Sequence, residues 1–227
     1  MAPPRRRADA LPRAQNDVSA LLTLVQWLSP AFPTGAFAYS HGLERVIAAG
    51  DVTDASSFEE WLRNILHHGA GWQDAVLLTH ALAEDADYDA LDALARALAP
   101  SAERLQESAE QGAAFARMVS GLSGRSLKPR MLPIAIGEAA VPLALSAGQV
   151  AQLYLQNFAS NLTTIATRHV PLGQTDGQRV LSRILPEIEV LGTRAALASL
   201  DDLGSCALGA DLAAFQHETQ DVRIFRT

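Results

Sequence analysis

Six histidines, one cysteine and one glycine-bounded loop are the groups that could carry chemistry in this chain of 227 residues. Metal ligation would need two or more of the histidines to converge. His67 and His68 are adjacent, and neighbouring residues on a helix point to different faces, so the pair is poorly placed to chelate one ion. Neither HExxH nor CxxC is present. His80 and the His217-Glu218 pair are isolated, while His41 stays open because of its surroundings. Cys206 is the single cysteine, which excludes an internal disulfide and a cysteine-rich zinc site. There is no GxSxG, and the Ala/Leu context of Cys206 predicts a buried, inert thiol. Gly173-Gln174-Thr175-Asp176-Gly177-Gln178 could aim backbone amides at an anion ahead of a helix. A Walker loop needs Lys-Ser/Thr after its second glycine, but Gln178-Arg179 follows, and Asp176 would repel a phosphate. The preferred reading is an interhelical turn in which Gln174, Asp176 and Gln178 satisfy free helix ends. The expectation is no catalytic residue, no metal site and no bound cofactor.

The elements that must position these residues read as helices. Nearly half of the residues are hydrophobic, aromatics are scarce and alanine is abundant, a balance suited to close helix packing. The formal charge of −7 argues against a general nucleic-acid binder. Val18, Leu21, Leu22, Val25 and Leu28 fall at helical spacing until Ser29-Pro30 ends the pattern. Arg5-Arg6-Arg7 ahead of this run and Ala36-Phe37-Ala38 after it imitate a secretory signal. Asp9, Pro12, Arg13 and Asp17 intervene between the arginines and the run, so a cytoplasmic location is expected. Ser56 with Glu59 and Ser57 with Glu60 offer overlapping capping boxes for a helix lined by Phe58, Trp61, Leu62, Ile65 and Leu66. Helices follow at 75–83, 90–98 and 102–122, and Ser123–Pro133 reads as an exposed, locally basic loop. No charge occurs between Glu138 and Arg168, yet the glutamines and asparagines there rule out a membrane span. Ser146 with Gln149 opens a central helix carrying Ala151, Tyr154, Leu155, Phe158, Leu162 and Ile165, stopped by Pro171. A helix at 178–185 and shorter ones near 186–200 and 205–218 complete an all-α, single compact multi-helix domain of about eight to ten helices. The boundaries are a flexible arm at 1–17, the helical domain at 18–220 and a partner-docking tail at 221–227.

Two stretches are harder to explain as core. Residues 30–44 pack Pro30, Pro33, Gly35, Gly42, Phe32, Phe37 and Tyr39 into one short irregular segment. A rigid aromatic loop presents contact area with little conformational entropy to lose; a buried connection is the equal alternative. The terminal Asp221-Val222-Arg223-Ile224-Phe225-Arg226-Thr227 alternates apolar anchors with guanidinium groups, which suits docking on a partner.

At these residues the sequence resembles the UreF family of urease accessory proteins. Its leading segment, Ser-Pro-x-Leu-Pro-Val-Gly-x-Phe-Ser-Tyr-Ser-x-Gly-Leu-Glu, stands here as Ser29 to Glu44, with Phe32, Thr34 and Ala38 as departures. Pro171-Leu172-Gly173-Gln174-Thr175-Asp176-Gly177-Gln178 is similar to a second family motif. His217-Glu218 and Arg223-Ile224-Phe225-Arg226-Thr227 are similar to a third. The three occur in order over about four fifths of the chain, and the arm before Val18 is not covered.

The resemblance implies a non-catalytic, all-α protein that pairs with UreD (also called UreH), forms a homodimer and recruits the GTPase UreG to the urease apoprotein. Nickel is then cargo of the complex and not a cofactor of this chain. It also implies partner-binding roles for Phe37, Tyr39, Ser40 and Glu44 in the aromatic segment and for Arg223, Ile224, Phe225 and Arg226 in the tail. The glycines, prolines and polar residues Pro33, Gly35, Gly42, Gly173, Gln174, Asp176, Gly177 and Gln178 would shape turns. A rival reading makes the chain a regulator of GTP hydrolysis by UreG, with Arg125 or Arg130 entering the partner's site. A third, an unrelated helical enzyme, would need convergent polar groups that the sequence does not show.

Overall fold

The computed structural model describes residues 13–204 and 206–226, and within them ten α-helices and three short 3-10 turns occur with no strand. In chain order these are α1 (Arg13–Leu28), α2 (Leu43–Ala49), α3 (Ala55–His68), α4 (Ala70–His80), α5 (Tyr88–Ala97), α6 (Ala102–Ser123), α7 (Leu132–Ala140), α8 (Ala147–His169), α9 (Gln174–Ala195) and α10 (Leu208–His217). The all-α expectation holds. Helix α1 begins at Arg13, inside the stretch expected to be an arm; the rest of that arm lies outside the described residues.

Helix α8 is the hub. Its uncharged sequence lets it bury Val150, Ala151, Tyr154, Leu155, Phe158, Leu162 and Ile165 while α1, α2, α3, α4 and α9 pack around it. The Ser146–Gln149 capping box is present, with the Gln149 amide 3.2 Å from Ser146 Oγ. Helix α9 lies closest, because Gly192 faces Gln152: a Cβ there would sit 2.4 Å from Gln152 Cγ and 2.9 Å from its backbone nitrogen. No described helix is long and apolar enough to cross a membrane.

Several local readings change. Helix α3 is capped by Asp54, whose carboxylate accepts from the Ser57 amide at 2.9 Å while Ser57 Oγ answers the Asp54 amide at 3.1 Å. Asp caps as well as Ser does and stands upstream, so neither Ser–Glu box forms. That frees Glu59, buried at 8 %, to accept from Arg63 and from Arg183 of α9. Pro133 sits in the first turn of α7, where its missing N–H costs nothing, so the apparent break is a helix start.

Helix α9 runs unbroken through Pro186, where a second helix was expected to begin. The proline is on the solvent side while Ile184 and Ile188 stay buried, so packing on both halves holds the helix together despite the lost hydrogen bond. The same helix swallows the expected turn. Only Gly173 is a cap, by backbone alone, and Gln174, Asp176, Gly177 and Gln178 form the first turns of α9, with Asp176 paired to Arg179 at 2.7 Å.

Candidate partner-docking surface

The aromatic segment that leads out of α1 is anchored at several points. Phe32 is buried against Phe115 of α6, with ring centroids 5.6 Å apart. Gly35 takes a left-handed conformation (φ 80°) and opens the 3-10 turn Ala36–Ala38, whose first carbonyl accepts from Asn161 Nδ2 at 3.1 Å. The turn throws Phe37 outward, 69 % exposed, and returns Tyr39 inward, 4 % exposed. His41 (φ 56°) and Gly42 (φ 78°) are consecutive left-handed residues, the first of them unfavourable for a side chain. Only glycine fits at 42. A Cβ there would sit 2.8 Å from the Ala214 nitrogen and 3.1 Å from the Ala210 carbonyl oxygen, so its absence lets α10 lie on the start of α2.

The C-terminal tail returns to this corner. The Arg226 amide donates to the Ala38 carbonyl at 2.8 Å, and the amides of Ile224 and Phe225 donate to the two oxygens of Glu44 at 2.8 and 2.9 Å. Phe225 is buried, edge-on to His169 with centroids 5.0 Å apart. Arg223 pairs with Glu103 of α6 at 2.6 Å. Arg226 reaches Glu110 at 2.8 Å and donates to the Tyr39 hydroxyl at 3.2 Å, while that hydroxyl donates to Glu110 at 2.7 Å. Burial first, and the bond to Glu110 next, push the Tyr39 hydroxyl up. Burial alone would raise the Glu44 carboxyl, but the Phe225 amide, His217 and the Ile224 amide together hold it below the ordinary range.

Of the eight residues expected to meet partners, the structure turns Tyr39, Ser40 and Phe225 inward and straps the tail to the body. The physical reason is the set of carboxylates on α2 and α6, which satisfy the tail's amides and guanidinium groups at home. Phe37 and Ile224 remain as exposed anchors, at 69 % and 67 %. Glu103, Glu107 and Glu110 were missed from the sequence although their spacing places them on one face of α6. The same holds for Leu208, Leu212 and Phe215, an exposed apolar row along α10 whose opposite face buries Ala210, Ala213, Ala214 and His217.

Beneath the corner lies a polar cluster. Nε2 of His41 is 3.0 Å from Glu107, and Arg104 pairs with the same carboxylate. Burial pushes Glu107 up, but Arg104 and His41 overcome it and hold the carboxyl at about 2. Burial, and then Arg104, push His41 down. Burial raises Asp74 to about 6, with Tyr154 donating to it at 2.6 Å. The cavity lined by His41, Asp74, Arg104, Glu107 and Tyr154 has a volume of about 40 Å³, room for a water molecule or so. No group of three or more metal-ligating side chains is positioned to hold an ion among the described residues.

Other expected chemistry is relocated. Cys206 is exposed, not buried, because it precedes α10 in a loop. His67 bonds Glu187 at 3.0 Å and His80 the Ala198 carbonyl at 3.1 Å. Arg130 is buried between Asp89 and Glu138, at 2.6 and 3.1 Å. Arg125 is spent on the carbonyls of Ala139 and Glu138 that end α7. Neither arginine is an exposed loop residue poised to enter another protein.

Residues 52–185 match the family model described as UreF. The chain is 59% identical over 209 residues to the urease accessory protein UreF of Cereibacter sphaeroides (strain KD131 / KCTC 12085), spanning 92% of this chain and 99% of that protein. It is 49% identical over 209 residues to the protein of that name from Paracoccus denitrificans (strain Pd 1222), spanning 92% and 97%. For Roseobacter denitrificans (strain ATCC 33942 / OCh 114) the figures are 46% over 211 residues, 92% and 94%. With the motif-bearing corner, the strapped tail and a likeness that runs over nearly the whole length, the chain belongs to the UreF family of urease accessory proteins.

Proposed function

We propose that this protein is a non-catalytic scaffold for nickel insertion into urease, working in the cytoplasm by binding UreD (UreH) and bringing UreG to the urease apoprotein. The observation that carries the reading is the exposed apolar side chains of α10 and of the segment after it. Leu208, Leu212 and Phe215 stand exposed on α10, and Val222 and Ile224 stand exposed on the segment that follows. Five large apolar side chains at one end of the chain, none used by the fold, are what a protein partner would bury. Ordering has already been accomplished by Glu44, Glu103 and Glu110, so docking the tail loses little conformational entropy.

Phe37 is the exposed aromatic that we assign to the homodimer contact: the 3-10 turn that carries it is anchored to α8 by Asn161, so the ring is held outward at little cost in conformational entropy.

The test is co-purification from cells expressing the urease operon. Ile224→Ser with Phe215→Ser should abolish capture of UreD and UreG while leaving the helical content unchanged. Capture at the wild-type yield would overturn the reading.

A further inference from the structure

His217 is the last residue of α10 and is fully buried, yet it touches two carboxylates. Its Nε2 is 3.0 Å from Glu44 Oε2, and its Nδ1 is 2.8 Å from Glu103 Oε2. An ionised carboxylate only accepts, so both ring nitrogens must donate, and a neutral imidazole has one N–H. These are the two carboxylates that hold the tail: Glu44 takes the amides of Ile224 and Phe225, and Glu103 takes the Arg223 guanidinium.

We propose that His217, as a buried imidazolium, is the positioning residue that clasps the C-terminal tail to the body by fixing Glu44 and Glu103 in their accepting orientations. The inference rests on the reading of the tail as a partner-docking surface for its consequence, though not for its geometry. One proton thus ties α2, α6 and α10 to the last residues of the chain. The charged groups around the ring are Glu44 from α2, Glu103 from α6, Arg223 from the tail acting through Glu103, and Glu218 next in sequence. Glu218 is committed elsewhere, accepting from the Ala102 amide at 2.8 Å at the start of α6. Arg45 of α2 is held by Gln216 at 3.1 Å. Arg223 already pairs with Glu103, whereas among the described residues no arginine or lysine pairs with Glu44. A neutral ring would leave one carboxylate facing a nitrogen lone pair and loosen the strap.

Two measurements on the full chain test this. Nitrogen-15 spectra of the histidine rings should show His217 with protons on both nitrogens in the folded protein at neutral pH. Amide hydrogen exchange at Ile224 and Phe225 should then quicken about ten- to a hundredfold in His217→Gln, which can offer only one carboxylate a well-placed donor, while α8 amides keep their protection. A neutral His217 ring, meaning that one glutamate carries the proton, would overturn the proposal, as would unchanged exchange in the variant. Should His217→Gln fail to fold, the ring spectrum of the wild type still decides. Failure of UreD capture to respond to Ile224 and Phe215 is a separate result that bears on the docking surface alone.

Discussion

Replacing Tyr39 by Phe removes one hydroxyl that donates to Glu110 and accepts from Arg226, and should cost about 1 kcal/mol in denaturant titration. Tyr39→Ala removes a buried ring as well and should cost about 3–5 kcal/mol, so its effect on assembly will be inseparable from a fall in melting temperature. Sequence alone left this residue evenly balanced between grip and core; the 3-10 turn that sends Phe37 outward and Tyr39 inward is set by Gly35 and by Asn161, whose bond to the Ala36 carbonyl spans 125 residues. Asp74 gives a pH-dependent outcome. Its folded value, about 6, lies above the ordinary 3.8, so the fold disfavours the ionised form. The resulting penalty is absent below about pH 4, grows as pH rises toward 6 and is constant beyond it. Asp74→Asn cannot ionise and should therefore be more stable than the wild type by about 2–3 kcal/mol at pH 7, with the gain vanishing near pH 4. Chemical denaturation at the two pH values checks it.

Among the helices, α8 was legible because its signals agree: a Ser–Gln capping box, an apolar stripe and no charge to place on a wet face. Helix α9 was not, because glycine and proline are breakers in isolation, whereas here Gly177 presses against α8 and Pro186 faces solvent. Helices α2 and α7 were hidden for a related reason, each being short and set beside residues that usually mark loops. Gly42 shows what such a breaker does for packing. Gly42→Ala should cost more than about 1 kcal/mol, since a positive φ is combined with a methyl group driven into the α10 backbone. It should also raise exchange at the α10 amides more than at those of α8, which native-state exchange would resolve.

At the scale of the molecule, the tail is both part of the fold and part of the docking face. The sequence pointed to its apolar anchors but could not show that Phe225 is seated at home while Ile224 is offered outward, because the seat is built from α2 and α8 together. Deleting Arg223–Thr227 should leave a folded helical chain whose melting temperature falls by about 5–10 °C, reflecting the loss of one buried phenylalanine and its satellite hydrogen bonds. The face itself is best tested apart from stability. Titration calorimetry of purified UreD against this chain and against Phe215→Ser/Ile224→Ser, two exposed positions, measures it directly. Affinity should drop at least about a hundredfold with an unchanged melting temperature; equal affinity for the two chains would contradict the account.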